Sequence, residues 1–247
     1  MSAFNREILM SKPNPALIGP TLLGMVMAAV LLAISACSYR EGAGDNPITR
    51  SFAWFSYLNG DDLRSYCKAG GPDRYRIVYN ADWNEQVRTY DLTANADGGA
   101  DLALQVFGAG NWLGSGVSIT DPLAPWRGRA ERRVISRGEL RAIRDALRAS
   151  GFDTPPPVGT RVRSWGFFWL VATCEGGRFR YNGWAHPSPR YDAVALIPAL
   201  KAVDNTGIAF NPAREVDWRL DRDQREHLQH YQLVITPDGI KDNFTPF

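Results

Sequence analysis

Apolar and polar residues alternate with period two along the first half of the chain's middle. Arg74 to Asn80 (RYRIVYN) puts Tyr75, Ile77 and Tyr79 on one face, as a strand buried on one side requires. Gln86 to Leu92 (QVRTYDL) sets Val87, Thr89 and Asp91 against Arg88, Tyr90 and Leu92. Asn95-Ala96-Asp97-Gly98-Gly99 is a strong turn, and Asp101 to Phe107 follows with Leu102, Leu104 and Val106 in phase. These three segments predict an antiparallel meander. Residues 108–128 are rich in Gly and Pro and read as a long surface loop.

The period then changes. In Ser136 to Ser150 (SRGELRAIRDALRAS), Leu140, Ile143 and Leu147 recur at helical spacing. Ser136 and Glu139 have the spacing of a capping box, and Gly151 can close the helix in a left-handed conformation. Trp165 to Cys174 and Arg178 to Trp184 predict a hairpin across Glu175-Gly176-Gly177. Tyr191 to Asp204 predicts a second helix if Pro198 falls in its first turn. Pro212 to Gln229 is dense in charge and predicts a third, Tyr231 to Thr236 predicts a last strand, and a short helix is expected after Asn59 or Asp61. Clustered strands with two to three helices imply an α+β fold, the helices packed on one face of an antiparallel sheet.

The amino terminus follows a different rule. Residues 1–15 carry Arg6 and Lys12 against Glu7, and Ala16 to Ala36 then contains no charge. A basic leader before an apolar run has the form of an export signal. The run ends Ile34-Ser35-Ala36-Cys37. It resembles the lipobox of bacterial lipoproteins: aliphatic, small, small, cysteine. The resemblance covers about the first 37 residues of 247. It implies a lipid on the Cys37 thiol, cleavage before Cys37 and acylation of the new amine. The run is also long enough to span a bilayer uncleaved. The organisation expected is a signal peptide over 1–36, a lipid-anchored tether over 37–50 and one globular domain over 51–247. A membrane partner through the anchor, on the periplasmic side of the cell or outer membrane, follows from the same resemblance.

Composition narrows the rest. The chain is 45% hydrophobic and 22% charged with a net charge of +2, which excludes a disordered chain and a polyanion-coating one. Nucleic acid is not an expected partner. Lysine stands only at 12, 68, 201 and 241, so the basic residues are overwhelmingly arginine. On the predicted helix Arg137, Arg141, Arg144 and Arg148 step by four, three and four into one stripe. Guanidinium forks suit carboxylates and phosphates. The stripe is therefore a candidate site for an anionic envelope polymer or a partner protein, or an ordinary solvated face with Asp145 as ion-pair partner.

Chemistry is sparse. Cys67 and Cys174 form an even pair, which in an oxidising compartment is expected as a disulfide. The alternative makes Cys174 the nucleophile of an envelope hydrolase acting on peptidoglycan or an ester, with His186 as base and Asp192 as orienter. Glu226, His227 and His230 lie close together but lack the HExxH pattern and are expected on a solvated helix face. Trp165, Phe167 and Trp169 alternate on one strand and Phe179 and Tyr181 on the next, as a sheet's core or as a stacking platform. There is no phosphate-binding Gly-rich loop, no nucleophile elbow and no strong metal-ligand cluster. No cofactor or metal is expected, and the function predicted is non-catalytic.

Overall fold

A computed structural model describes residues 54–68, 71–83, 85–108, 128–216 and 231–241. The signal segment, the lipobox, Cys37 and the tether lie outside the described residues. So do most of the expected 108–128 loop and the stretch holding Glu226, His227 and His230.

The fold is α+β. The elements are α1 (Asp61–Lys68), β1 (Arg74–Ala81), β2 (Gln86–Ala94), β3 (Ala100–Phe107), β4 (Arg129–Ile135), α2 (Arg137–Ala149), β5 (Arg161–Arg163), β6 (Phe167–Glu175), β7 (Arg178–Ala185), α3 (Pro189–Asp192), α4 (Leu196–Val203), β8 (Gln232–Thr236) and β9 (Gly239–Lys241). A short helical stretch at 54–59 precedes α1. Six strands form one sheet in the order β4-β3-β2-β1-β6-β7, and β5, β8 and β9 form a second, three-stranded sheet. The neighbouring strands of the large sheet run antiparallel. The meander lies as the alternation predicts, with Ile77 opposite Tyr90 and Tyr90 opposite Leu104.

Both faces of the large sheet are covered. On one face, Ile77, Tyr90, Leu104, Trp169 and Trp184 pack with Leu140, Ile143 and Leu147 of α2 and with Leu196, Leu200 and Val203 of α4. On the other, Val78, Phe168, Leu170 and Tyr181 pack with Leu58, Leu63, Leu233 and Ile235 from α1, its leading turn and the small sheet. Helices therefore sit on both faces rather than the single face expected. The reason lies in the central strands β1 and β6, which are buried almost throughout. Their second faces carry apolar residues that need cover of their own. Gly183 permits this cover to come close. A methyl placed there would lie 2.9 Å from Leu170 Cδ2 and 3.2 Å from Ile235 Cγ2.

α2 forms for the reasons visible in its sequence. Ser136 accepts from the Glu139 backbone N–H while Glu139 accepts from the Ser136 backbone N–H at 2.7 Å, which completes the capping box. Full burial of Leu140, Ile143 and Leu147 contributes about 1.5–3 kcal/mol each. Gly151 follows the helix at φ 72°.

Several elements differ from expectation. Trp165 lies in the turn before β6, not in the strand. Phe167 and Trp169 belong to the core under α2, whereas Phe179 and Tyr181 face the opposite layer. The aromatics are thus two halves of two cores and not one platform. The helix expected over 191–204 is two pieces, because Ser188 caps α3 and Ala193 ends it before α4 begins, with Pro198 in the first turn of α4. Residues 212–216 are not helical, and 217–229 of the expected third helix lie outside the described residues. The strand at 232–236 belongs to the small sheet, which sequence alone did not predict.

Candidate functional site

Three residues side by side on the sheet begin the site. Tyr75, Thr173 and Arg180 are in register across β1, β6 and β7, so their side chains share one face. Glu175, two residues beyond Thr173, shares that face as well. Across from them stands the carboxyl-terminal half of α2, which contributes Arg144, Leu147 and Arg148, followed by Phe152 and Asp153. Together these residues line a small hollow at the end of the sheet's apolar layer.

Charge in the hollow is tightly organised around Glu175. It accepts from the Tyr75 hydroxyl at 2.9 Å, pairs with Arg144 Nη2 at 2.7 Å and pairs with Arg180. A second Arg180 nitrogen binds Asp153. Burial by itself raises the Glu175 pKa. The Tyr75 hydrogen bond, with Arg144 and Arg180, outweighs it and holds the carboxyl below its ordinary range. Burial and the Glu175 contact keep the Tyr75 phenol protonated far into the alkaline range. Two buried polar atoms of the residues lining the hollow have no hydrogen-bond partner among the described residues. They are the Thr173 hydroxyl, on a side chain 0% exposed, and the Arg144 Nε–H.

The arginine stripe is thereby divided. Arg137 donates to the Asp97 carbonyl at 2.6 Å, Arg148 pairs with Asp145 at 2.7 Å, and Arg144 turns into the hollow. Arg141 is exposed. Arg180, from β7, joins Arg144 although it lies 36 residues away in sequence. Period-two or helical spacing within one segment carries no signal for such a meeting.

Cys67 and Cys174 form a disulfide, with a Cα–Cα distance of 5.4 Å and both residues buried. The Cys174 sulfur is therefore bonded rather than free as a nucleophile. His186 lies at the opposite end of β6, where its backbone N–H donates to the Phe167 carbonyl at 2.9 Å. Phe167 and Cys174 are seven positions apart along the strand, a span of roughly 23 Å. The His186 ring packs against Phe167 and Tyr191, with centroids 6.2 and 5.1 Å away. Asp192 ends α3. Cys174, His186 and Asp192 are not brought together, so the hydrolase alternative loses its triad.

Two arginines of the central strands are buried: Arg76, which alternation places opposite the apolar face of β1, and Arg88, which shares a face with Tyr90 and Leu92. Arg76 is held by Asp62 and Asp91, each at 2.7 Å, and lies 3.7 Å over the Tyr57 ring. Arg88 pairs with Asp204 and donates to the Ile208 and Ala209 carbonyls, which secures the extended chain after α4 across the sheet. Both bind neighbouring segments of the fold.

Among the described residues, no group of three or more His, Cys, Asp or Glu is placed to hold a metal ion. Among the same residues no helix is long and apolar enough to cross a membrane. No protein-family model, no curated protein and no solved structure matches the chain.

Proposed function

We propose that this chain is a lipid-anchored protein of the bacterial cell envelope whose globular domain is a non-catalytic interaction module. The observation that carries the reading is the uncharged run Ala16 to Ala36 ending Ile34-Ser35-Ala36-Cys37. Several acyl chains on one cysteine hold a protein to a bilayer durably, where a single chain gives only marginal binding. The Cys67–Cys174 disulfide supports the same compartment, because such bonds persist where the surroundings are oxidising. The buried arginine pairs support the non-catalytic part: Arg76 and Arg88 are engaged with Asp62, Asp91 and Asp204 of the fold itself. Its partner is an envelope protein or an anionic envelope polymer, met on the periplasmic side, and not a nucleic acid.

Intact mass of the protein extracted from its native membrane, before and after reduction, tests this reading. The expected species is residues 37–247 plus acyl groups, with a gain of about two mass units on reduction. Cys37→Ser should leave the precursor without its lipid. A full-length, unlipidated mass overturns the anchor, and a mass unchanged by reduction overturns the disulfide.

A further inference from the structure

β4 is the outermost strand of the large sheet and, among the described residues, has a strand neighbour on one side only. Such an edge presents a row of backbone N–H and C=O groups to any strand that can lie beside it. The layers covering the sheet lead away from this edge. α2 starts beside β4, where Arg133 pairs with Glu139 at 3.2 Å, and by Arg144 it has reached Glu175 at the end of β6. The core of the second layer, around Val78, Leu170 and Tyr181, includes no residue of β4. Ala130, Arg132 and Val134 share one face of β4, and all three are exposed. Val134 is 61% exposed and is, with Val158, one of two large apolar side chains so placed among the described residues.

The charge pattern of β4, RAERRVI, shows which strand fits. Laid antiparallel against a second copy of itself about Arg132, the strand pairs along its whole length of 7 residues. Glu131 of each copy then opposes Arg133 of the other, Ala130 opposes Val134, and Arg129 opposes Ile135. Other registers are worse. An axis at Glu131 opposes the two Glu131 side chains and sets Arg129 against Arg133, and an axis at Arg133 opposes the two Arg133 side chains. In the favoured register the one unfavourable pair is Arg132 with its counterpart on the axis. Both are long and exposed, which weakens the repulsion, and Asp101 of β3 lies diagonal to Arg132 on the same exposed face. Arg133 gives one nitrogen to Glu139, and a guanidinium has further donors.

We infer that β4 is a self-association edge, where a second copy of this chain adds its own β4 antiparallel about a two-fold axis at Arg132 and the two large sheets continue as one. The backbone ladder supplies the adhesion, the Glu131–Arg133 pairs set the register, and Val134 is covered by Ala130 of the other copy. A single strand pair is a small contact, so the association is reversible. The inference stands on β4 and does not depend on the lipid anchor, although anchored chains would meet one another at a raised local concentration.

The test is sedimentation velocity of the full chain in detergent, joined to cross-linking through an introduced cysteine. The protein should pass from monomer to dimer between about 1 and 100 µM. Arg132→Cys should give a disulfide-linked dimer under mild oxidation, because opposed residues of an antiparallel pair lie roughly 4.5–5.5 Å apart, within disulfide reach. Cys67 and Cys174 are bonded to each other and do not compete. Val158→Cys places an equally exposed thiol away from β4 and should not cross-link beyond the unsubstituted protein. Glu131→Arg sets like charges against each other and should weaken the dimer roughly tenfold, and adding Arg133→Glu should restore it. Val134→Lys, on the exposed face, should weaken it as well and provides a second variant should Glu131→Arg not fold. A monomer up to about 100 µM overturns the inference. Equal cross-linking through Val158→Cys, or a dimer unchanged by both weakening variants, overturns it equally, since the contact would then lie elsewhere.

Discussion

Arg76 of β1 and Asp62 of α1 meet through two hydrogen bonds, Nη1 to Oδ1 at 2.7 Å and Nη2 to Oδ2 at 2.9 Å. Arg76 is only 2% exposed. Its Nε also binds Asp91, and Nη1 reaches the Tyr57 carbonyl. α1 is thus tied to the centre of the large sheet through one guanidinium. Desolvating that cation opposes its charged form, but the Asp91 charge and the Tyr57 and Asp62 contacts keep it protonated.

Asp62→Ala removes one side of this arrangement and takes a carboxylate partner from a buried cation that keeps Asp91 and the Tyr57 carbonyl. The expected loss is about 3 kcal/mol in the free energy of unfolding, at the lower end for breaking a buried pair, since the second carboxylate remains. Urea denaturation at neutral pH measures it. A loss below about 0.5 kcal/mol, the range of an exposed pair, would contradict the burial of Arg76.

The disulfide closes a loop with a sequence separation of 107. In the chain-entropy treatment such a closure stabilises the fold by about 4–5 kcal/mol. Cys67→Ala with Cys174→Ala should lower the unfolding midpoint by on the order of 10 °C in a domain of this size. Calorimetry of the double variant beside the oxidised protein would show it.

Glu175 makes stability pH-dependent. Its folded pKa lies below its ordinary value of 4.5. The unfolded chain therefore binds this proton more readily than the native protein does. The contribution is present above the ordinary carboxylate range and is lost as pH falls through the lowered folded value. Glu175→Gln should reduce the acid-side loss of stability and lower stability near neutrality. Denaturation midpoints collected from pH 7 down to roughly pH 3 separate the two curves. Parallel curves would mean the carboxyl is not held by Tyr75, Arg144 and Arg180.

Ser136→Ala removes the side-chain acceptor of the α2 capping box. The expected destabilisation is about 1 kcal/mol, and Ser136→Asp should restore most of it. Denaturant titration of the three proteins gives the comparison. No change in the alanine variant would mean that packing of Leu140, Ile143 and Leu147 alone sets where the helix begins.

What the chain determines by itself is local. Alternation in 74–80, 86–92 and 101–107 and the turn at 95–99 suffice for the meander, because each strand's apolar positions and each turn's residue types lie within one short segment. The same holds for α2, whose cap and apolar stripe are both contained in 136–150. The pattern misleads where a position usually facing solvent is buried under another layer. Arg76, Val78 and Asn80 alternate with the apolar face of β1, yet all three are covered by the second layer. No feature of RYRIVYN distinguishes a solvated Arg76 from one paired with Asp62. Likewise Arg144, Thr173 and Arg180 belong to a helix and two strands whose neighbourhood arises only when α2 lies across β6 and β7. Local periodicity sets which residues share a face of one element. Which element covers that face, and which buried hydroxyl is left unpartnered beneath it, depends on long-range packing, and only the tertiary structure decides it.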